Sequence, residues 1–370
     1  MSKEISRRQF LVGGSGLAVA FFVGCENARP EQKPSQTLRP TPDPPSTHAL
    51  TPSPSPIGQP FSCLIEKPSL TEEPTQTPQA TPQPTLEEIP QPTAELAQVA
   101  ENPQFEISTR PETLSEHFTA LKESLTGEIQ NFSGDAAIVI SDLNDGETVS
   151  INGNVKHLTG CTINIFPFLS VLEDLQNGKY QLDDDLTYNL VQGIPLSQPR
   201  FVVPLLIKSG RSFEGGIAKA NELRERIGAK NSIMDHEPLY GGPESGNNYF
   251  TAEDANLVLS KLYGGQILNP EWTAFAIDIL TQTNYTVDYI IPAGIPQGAR
   301  VAHKIGWHWD PTGWVYNDMG LVIAENDGRK PAFAISFFSQ YGSYEGSGSR
   351  LGAELAQITW QHFAQKYNLS

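Results

Sequence analysis

Residues 27 to about 104 carry the tightest constraint in this chain, because they have no means of building a core. Proline, threonine, serine, glutamine and glutamate dominate there, as in Thr51-Pro52-Ser53-Pro54-Ser55-Pro56 and again across Thr75–Thr85. Proline removes backbone donors, and the sparse apolar residues leave little to bury. The stretch is therefore predicted to be a disordered, extended and semi-stiff linker, at about 3.1 Å per residue. A small apolar island at Phe61–Lys67 holds Cys63 and reads either as a docking segment or as nothing in particular. Three segments are expected: a signal at 1–25, the linker at 26–104, and one folded domain at 105–370.

The first segment reads as an address. Ser6-Arg7-Arg8-Gln9-Phe10-Leu11 is a twin-arginine pattern, followed by an apolar run from Leu11 to Val23 and then Gly24-Cys25. The run is shorter than the roughly 20 residues that a spanning helix needs, so it reads as an export signal. Phe22-Val23-Gly24-Cys25 resembles a bacterial lipobox, which implies cleavage before Cys25 and a lipid on its sulfur. The alternative is an ordinary export signal with an incidental cysteine. The lipobox reading makes the protein a lipoprotein on the extracytoplasmic face of a membrane, with the linker holding the domain away from the surface.

The formal net charge of −17 removes one class of partner. Binding a phosphate backbone needs clustered Lys and Arg, and there is no such cluster, so nucleic acid is not expected. No zinc-spaced Cys/His set and no phosphate loop occurs, so neither metal nor cofactor is expected. Cys25, Cys63 and Cys161 are too few for a disulfide framework. An exported compartment would permit a Cys63–Cys161 disulfide, a minor possibility.

Periodicity organises the remainder. Leu114, Phe118, Leu121 and Leu125 predict a helix over Thr113–Glu128. Ala136–Ser141 and Thr148–Ile151 flank Asn144-Asp145-Gly146 and predict a hairpin. Thr162–Asn177 predicts an apolar helix closed by Gly178, with Pro167 expected beyond its first turn at the cost of a hydrogen bond. Ile217–Ile227 and Ala252–Tyr263 predict further helices, the second opened by Thr251 with Asp254 three positions on. Arg300–Lys304, Asp318–Ala324 and Ala332–Phe338 predict strands, and Gly352–Tyr367 a closing helix. The fold class expected is α+β: an antiparallel sheet flanked by helices, with an inserted all-helical lobe.

Three short stretches then carry a resemblance: Gly160-Cys161-Thr162-Ile163-Asn164, Ser209-Gly210-Arg211 and His303-Lys304-Ile305-Gly306. They are similar, in order and context, to the Ser-x-x-Lys, Ser-Asp-Asn and Lys-Thr-Gly signature of class A β-lactamases and penicillin-binding proteins. Asn177-Gly178-Lys179-Tyr180-Gln181-Leu182-Asp183-Asp184, Tyr249–Asp254 and Arg300–Gly306 add to it, so that it spans about Leu114 to Gln365.

Most of the chemically active positions differ from that signature. The resemblance puts Cys161 at the nucleophile, either as a thiol that needs less help than serine or as a small cysteine in a dead site. A helix N-terminus there would favour the thiolate. Asn164 takes the place of a lysine one turn on, and an amide can only donate or accept hydrogen bonds. Ser209 and Arg211 are the match to Ser-Asp-Asn, or else belong to a loop without a role. Glu237, in Met234-Asp235-His236-Glu237-Pro238, would be the base that positions a water, or a chance dipeptide. Lys304 would attract a substrate carboxylate or depress Cys161, and Gly306 would let a substrate lie along the strand. Backbone N–H groups of Cys161 and Trp307 would receive an oxyanion. Trp307, His308, Trp309 and Trp314 are expected to crowd the next loop, either stacking on sugar or simply packing. Strand alternation turns His303 away from Lys304.

The resemblance thus implies one of three functions: a degenerate, monomeric relative that binds cell-wall peptide or another ligand with little turnover; a hydrolase or acyltransferase using Cys161; or an ordinary β-lactamase.

Overall fold

The computed structural model describes residues 114–236, 248–324 and 330–369. The segments expected to be signal and linker, with Cys25, Cys63 and Glu237, lie outside the described residues. Among the described residues the sheet has five antiparallel strands in the order β2-β1-β5-β4-β3. These are β1 (Asp135–Asp142), β2 (Thr148–Ile151), β3 (Arg300–Asp310), β4 (Gly313–Ile323) and β5 (Ala332–Gln340). The expected α+β architecture is thus the observed one. β5 is the middle strand and all nine of its residues are buried, as a strand covered on both faces requires.

Alternation along the strands sorts side chains between two cores. Ile138, Ile140, Ile305, Val322, Ile335 and Phe337 face α1 (Glu116–Gln130) and α9 (Ser347–Tyr367), meeting Leu121, Leu125, Leu355 and Phe363. Ala137, Val139, Ala302, Met319, Leu321 and Phe338 face the other way, toward α2 (Ile165–Gln176) and α6 (Ala252–Tyr263). The helical lobe expected between the strands is completed by α3 (Asp184–Gly193), α4 (Val202–Gly210), α5 (Phe213–Ile227) and α7 (Pro270–Leu280), while the single turn α8 (Ile291–Gly294) packs on α9 across the sheet. Caps set several boundaries: Ser115 accepts from Phe118 N, Asp183 from Leu186 N, Ser212 from Gly215 N and Thr251 from Asp254 N.

Two expectations need correction. The predicted helix from Thr162 is two elements, a 3₁₀ turn at Gly160–Asn164 and then α2 from Ile165. Pro167 is therefore the third residue of α2, where a backbone N–H has no intrahelical acceptor, and it costs no hydrogen bond. The aromatic stretch after Gly306 is not a loop. β3 and β4 run on together, pairing Trp307 with Tyr316 and Trp309 with Trp314. The chain reverses through Pro311 and Thr312, and Gly313 opens β4 with a φ of +136° that few other residues adopt. Trp314 and Tyr316 stack at 6.0 Å.

The two ends of the described domain are tied by charge. Lys366 on α9 donates to Asp142 (2.8 Å), Asp145 (2.6 Å) and Glu147 (2.9 Å), while Tyr367 Oη donates to Asp142 (2.7 Å). Asp142 is fully buried. Lys366→Met should therefore destabilise the fold by about 3 kcal/mol, since it strands buried carboxylate. Urea unfolding at constant m-value measures this. A loss below about 1 kcal/mol would class the cluster with ordinary surface pairs.

Candidate active site

The site forms where the edge strand β3 meets the 3₁₀ turn. Two glycines make the contact possible. A Cβ on Gly306 would lie 2.6 Å from the backbone nitrogen of Cys161. A Cβ on Gly160 would lie 2.7 Å from the nitrogen of Trp307. Side chains at either position would force strand and turn apart. Gly160 also has φ +48°, a left-handed value that suits glycine. The two backbone nitrogens, of Cys161 and Trp307, are thereby brought to one place.

Asn317 on β4 holds the turn in position. It is fully buried, and its Nδ2 donates to the carbonyls of Leu158 (2.7 Å) and Thr159 (3.1 Å). Its Oδ1 accepts from Ser339 N at 3.0 Å. Gln340 Oε1 accepts from Leu158 N at 3.1 Å, and Thr162 Oγ1 donates to Thr159 O at 2.6 Å. The segment leading into Cys161 is thus pinned to the sheet by side chains.

Lys304 lies on the α2 side of β3 and is 1% exposed. Its Nζ donates to Ser197 Oγ (2.7 Å) and to Ile305 O (2.8 Å). Burial pushes its ammonium down to about 8, against the opposing pull of the Cys161 and Asp318 charges. Ser197 sits between α3 and α4 with φ +53°, an uncommon value for a non-glycine residue. The bond to Lys304, a second from its hydroxyl to Ile305 O (3.3 Å), and one from its own N–H to Ile194 O (3.2 Å) hold it there.

His303 points the other way, as alternation predicts. Gly320 lies opposite and leaves room for the ring. One ring nitrogen lies 2.8 Å from Asp318 and the other 3.2 Å from Asp288. Burial alone would depress this imidazole, but the two carboxylates prevail and push it up to about 9. Asp318 also accepts from Ile291 N at 3.0 Å. The cluster therefore clamps the start of α8 against the strand that carries Lys304.

Cys161 is half-buried and forms no disulfide among the described residues. Its charge acts on both Lys304 and Tyr289, so the sulfur and the amine share one electrostatic neighbourhood. Cys161 belongs to the 3₁₀ turn and precedes α2, so it does not occupy an α-helical N-terminus as expected. Asn164 is three residues on. In a 3₁₀ turn residues i and i+3 eclipse, which stacks it beneath Cys161. Asn164 is fully buried, and neither its Oδ1 nor its Nδ2 has a partner among the described residues. Such an amide typically costs on the order of 1–3 kcal/mol for each unmet group.

Other expected site residues fall elsewhere. Ser209 lies in the last turn of α4, its hydroxyl folded back on Leu206 O at 3.2 Å. Arg211 is exposed and forms the left-handed end of that helix, at φ 65°. Both belong to a tight α4–α5 corner, where a Cβ on Gly210 would sit 1.9 Å from Gly216 N. The hydroxyl beside Lys304 is that of Ser197, in Ser197-Gln198-Pro199. Trp307 brings its backbone to the turn, while its ring lies on the opposite strand face from Lys304 and is 49% exposed. Glu237 lies outside the described residues. Sequence reasoning also missed Asn317. The adjacent polar pair Asn317-Asp318 inside the otherwise largely apolar run from Val315 to Ile323 was the available signal.

A family model described as the beta-lactamase enzyme family matches residues 120–196 and 206–363. No curated protein matches the chain. Among solved structures the chain is similar to PBP-A, at 20% identity over 70% of this chain and 100% of that one, with a TM-score of 0.57. It is also similar to a β-lactamase from Sphaerobacter thermophilus, at 18% identity over 67% and 98% of the two chains and a TM-score of 0.57. The ancestral GNCA class A β-lactamase matches at 19% identity over 65% and 99%, again with a TM-score of 0.57. At these identities the likeness is one of fold.

The two neighbours on β3 should give stability a distinctive pH dependence. His303 is raised from an ordinary 6.5 to about 9, so its contribution is complete below pH 6.5 and declines as pH rises through 9. Lys304 is lowered from 10.5 to about 8, so its burial costs stability below 8, and stability recovers as pH rises from 8 toward 10.5. Between pH 6.5 and 8 only the first operates, and stability should fall by on the order of 2 kcal/mol. Above 8 the two oppose each other. Denaturant titrations across this range should show the fall in the wild type and not in His303→Gln. A flat wild-type profile would refute the assignment.

Proposed function

Because the chain belongs to the beta-lactamase enzyme family, we propose that its cleft is a recognition site for a β-lactam-like or peptidoglycan-derived acyl compound, held with little or no turnover. The single observation that carries this reading is Asn164. It stands where the family signature has a lysine, is wholly buried, and offers an amide that cannot accept a proton at neutral pH. A ligand here would meet the backbone nitrogens of Cys161 and Trp307, the ammonium of Lys304 and the hydroxyl of Ser197. These groups bind and orient a carbonyl without moving protons quickly. A PBP-A variant of the same fold has been captured as an acyl-enzyme complex with penicillin G.

The charge contact between Cys161 and Lys304 favours a second reading, acyl transfer to sulfur. The Cys161 thiolate would attack the carbonyl carbon, forming a C–S bond as the amide C–N bond breaks. The backbone pair would receive the oxyanion. The leaving nitrogen would take a proton from the Lys304 ammonium, whose value near 8 suits that transfer. The thioester would then persist unless a base such as Glu237 delivers water.

Incubation of the purified protein with penicillin G and with nitrocefin, followed by intact-mass and absorbance measurements, separates these outcomes. Saturable binding with hydrolysis near background supports the first reading. A stoichiometric adduct that is lost in Cys161→Ser supports the second. Rapid nitrocefin hydrolysis would overturn both and make the protein an ordinary β-lactamase.

We further propose export by the twin-arginine route and anchorage through lipid on Cys25, with residues 26–104 as tether and the protein acting as a monomer. Detergent-phase partitioning of the expressed protein, abolished in Cys25→Ala, is the expected result. Equal aqueous partitioning of both forms would refute the anchor.

A further inference from the structure

The aromatic end of the β3–β4 hairpin carries a surface that the chemistry at Cys161 leaves unused. β3 is an outer strand of the sheet, and Trp307 and Trp309 stand two residues apart on its face away from Lys304. They are 49% and 52% exposed. Across the hairpin they pair with Tyr316 and Trp314. Those inner rings support them. Trp309 and Trp314 have centroids 6.5 Å apart, and Trp314 stacks on Tyr316 at 6.0 Å. Tyr316 is buried, with Tyr289 edge-on to it at 6.4 Å and its Oη accepting from Gly346 N at 3.0 Å. The main chain of Trp314 exchanges two hydrogen bonds with Gly342, at 3.1 and 3.0 Å. Tyr341 precedes that glycine and Tyr344 follows it, both exposed. Half of the exposed large apolar side chains among the described residues thus gather at this end of the sheet. Scattered exposure needs no explanation, whereas a cluster marks a binding surface.

Size and charge select the partner. Four half-exposed rings offer on the order of 400 Å², well short of the roughly 800 Å² per partner that a stable protein interface buries. A net charge of −17 disfavours polyanions and anionic bilayers. A small, uncharged ligand with flat faces fits both limits. The four exposed side chains are all aromatic, with π faces of negative potential and polar tips. A pyranose matches them, because its ring faces carry C–H hydrogens of positive partial charge and its rim carries hydroxyls. A strand of linked pyranoses repeats the match from ring to ring, as the hairpin repeats its aromatics at 6.0 and 6.5 Å. Trp307 also joins this face to the cleft, since its backbone nitrogen lies against the turn that carries Cys161. A glycan with an acyl or peptide branch can seat the branch in the cleft and the sugars on the rings.

We propose that Trp307 and Trp309, backed by Trp314 and Tyr316, form a stacking platform for an uncharged glycan strand along the rim of the cleft. This deepens the reading of the cleft as a site for peptidoglycan-derived compounds, on which it rests, by giving the sugar portion its own subsite. The rings are already held by their neighbours, so little side-chain freedom is lost on binding.

Chitohexaose, an uncharged oligomer of β-linked N-acetylglucosamine without peptide or β-lactam, is the probe. Titrated into the full chain and followed by tryptophan fluorescence and calorimetry, it should bind saturably. Trp309→Ala should weaken that binding by about tenfold or more, and Trp309→Phe, which keeps a ring, should restore most of it. Should the alanine variant fail to fold, the wild type decides: chitohexaose should shield Trp307 and Trp309 from hydroxyl-radical oxidation, read by peptide mass spectrometry. Penicillin G binding in the same preparations reports on the cleft separately and should be equal in the wild type and Trp309→Ala. Sugar binding without penicillin G binding would uphold the platform and remove the cleft reading. Absent sugar binding, affinity unchanged in Trp309→Ala, or unshielded tryptophans would overturn the platform even where penicillin G binds. Self-association that is lost in Trp309→Ala would also overturn it, by assigning the rings to a second copy of the chain.

Discussion

The close approach of Gly306 to Gly160 is the contact on which the rest of the site depends. A strand edge and a helical turn ordinarily keep the distance that their side chains impose. Here neither partner has a Cβ at the crossing, so backbone meets backbone. That contact brings together two main-chain nitrogens, the sulfur of Cys161 and the amine of Lys304. It is made by backbone alone and so does not depend on which side chains surround it. Asn317 supports it from behind with bonds to two carbonyls of the incoming segment.

Among the described residues the site is rich in hydrogen-bond donors. Lys304 donates to the Ser197 hydroxyl, which donates in turn to Ile305 O, and Asn164 presents a fully buried amide where a second amine would be expected from the family pattern. Binding and chemistry make different demands on such a set. Binding needs complementary polarity held in place, whereas rapid acyl transfer needs a group that cycles a proton. This difference separates a recognition module from an enzyme on one scaffold.

Much of this was legible in the sequence because period and order are local properties. The helix at Leu121 and Leu125, the hairpin around Gly146 and the alternation that parts His303 from Lys304 all follow from spacing alone. Ser197 was not legible, because only one residue of its triplet keeps the expected type, while Ser209-Gly210-Arg211 imitates the pattern from a helix corner. What distinguishes them is tertiary: one hydroxyl reaches Lys304 and the other folds back on its own helix. Pro167 misled for a related reason. Its cost depends on where the α-helix begins, and a 3₁₀ turn moved that point. The aromatic hairpin was hidden because a run of tryptophans obscures the turn that ends it.

The alternation of β3 has one further consequence. Two adjacent residues, His303 and Lys304, carry opposite electrical tasks on opposite sides of a single peptide plane. One neutralises buried acid where the strand meets a helix; the other holds a poised cation toward the cleft. Neighbouring codons thus answer to different demands, the first to the junction between sheet and α8 and the second to the contact with the Ser197 hydroxyl.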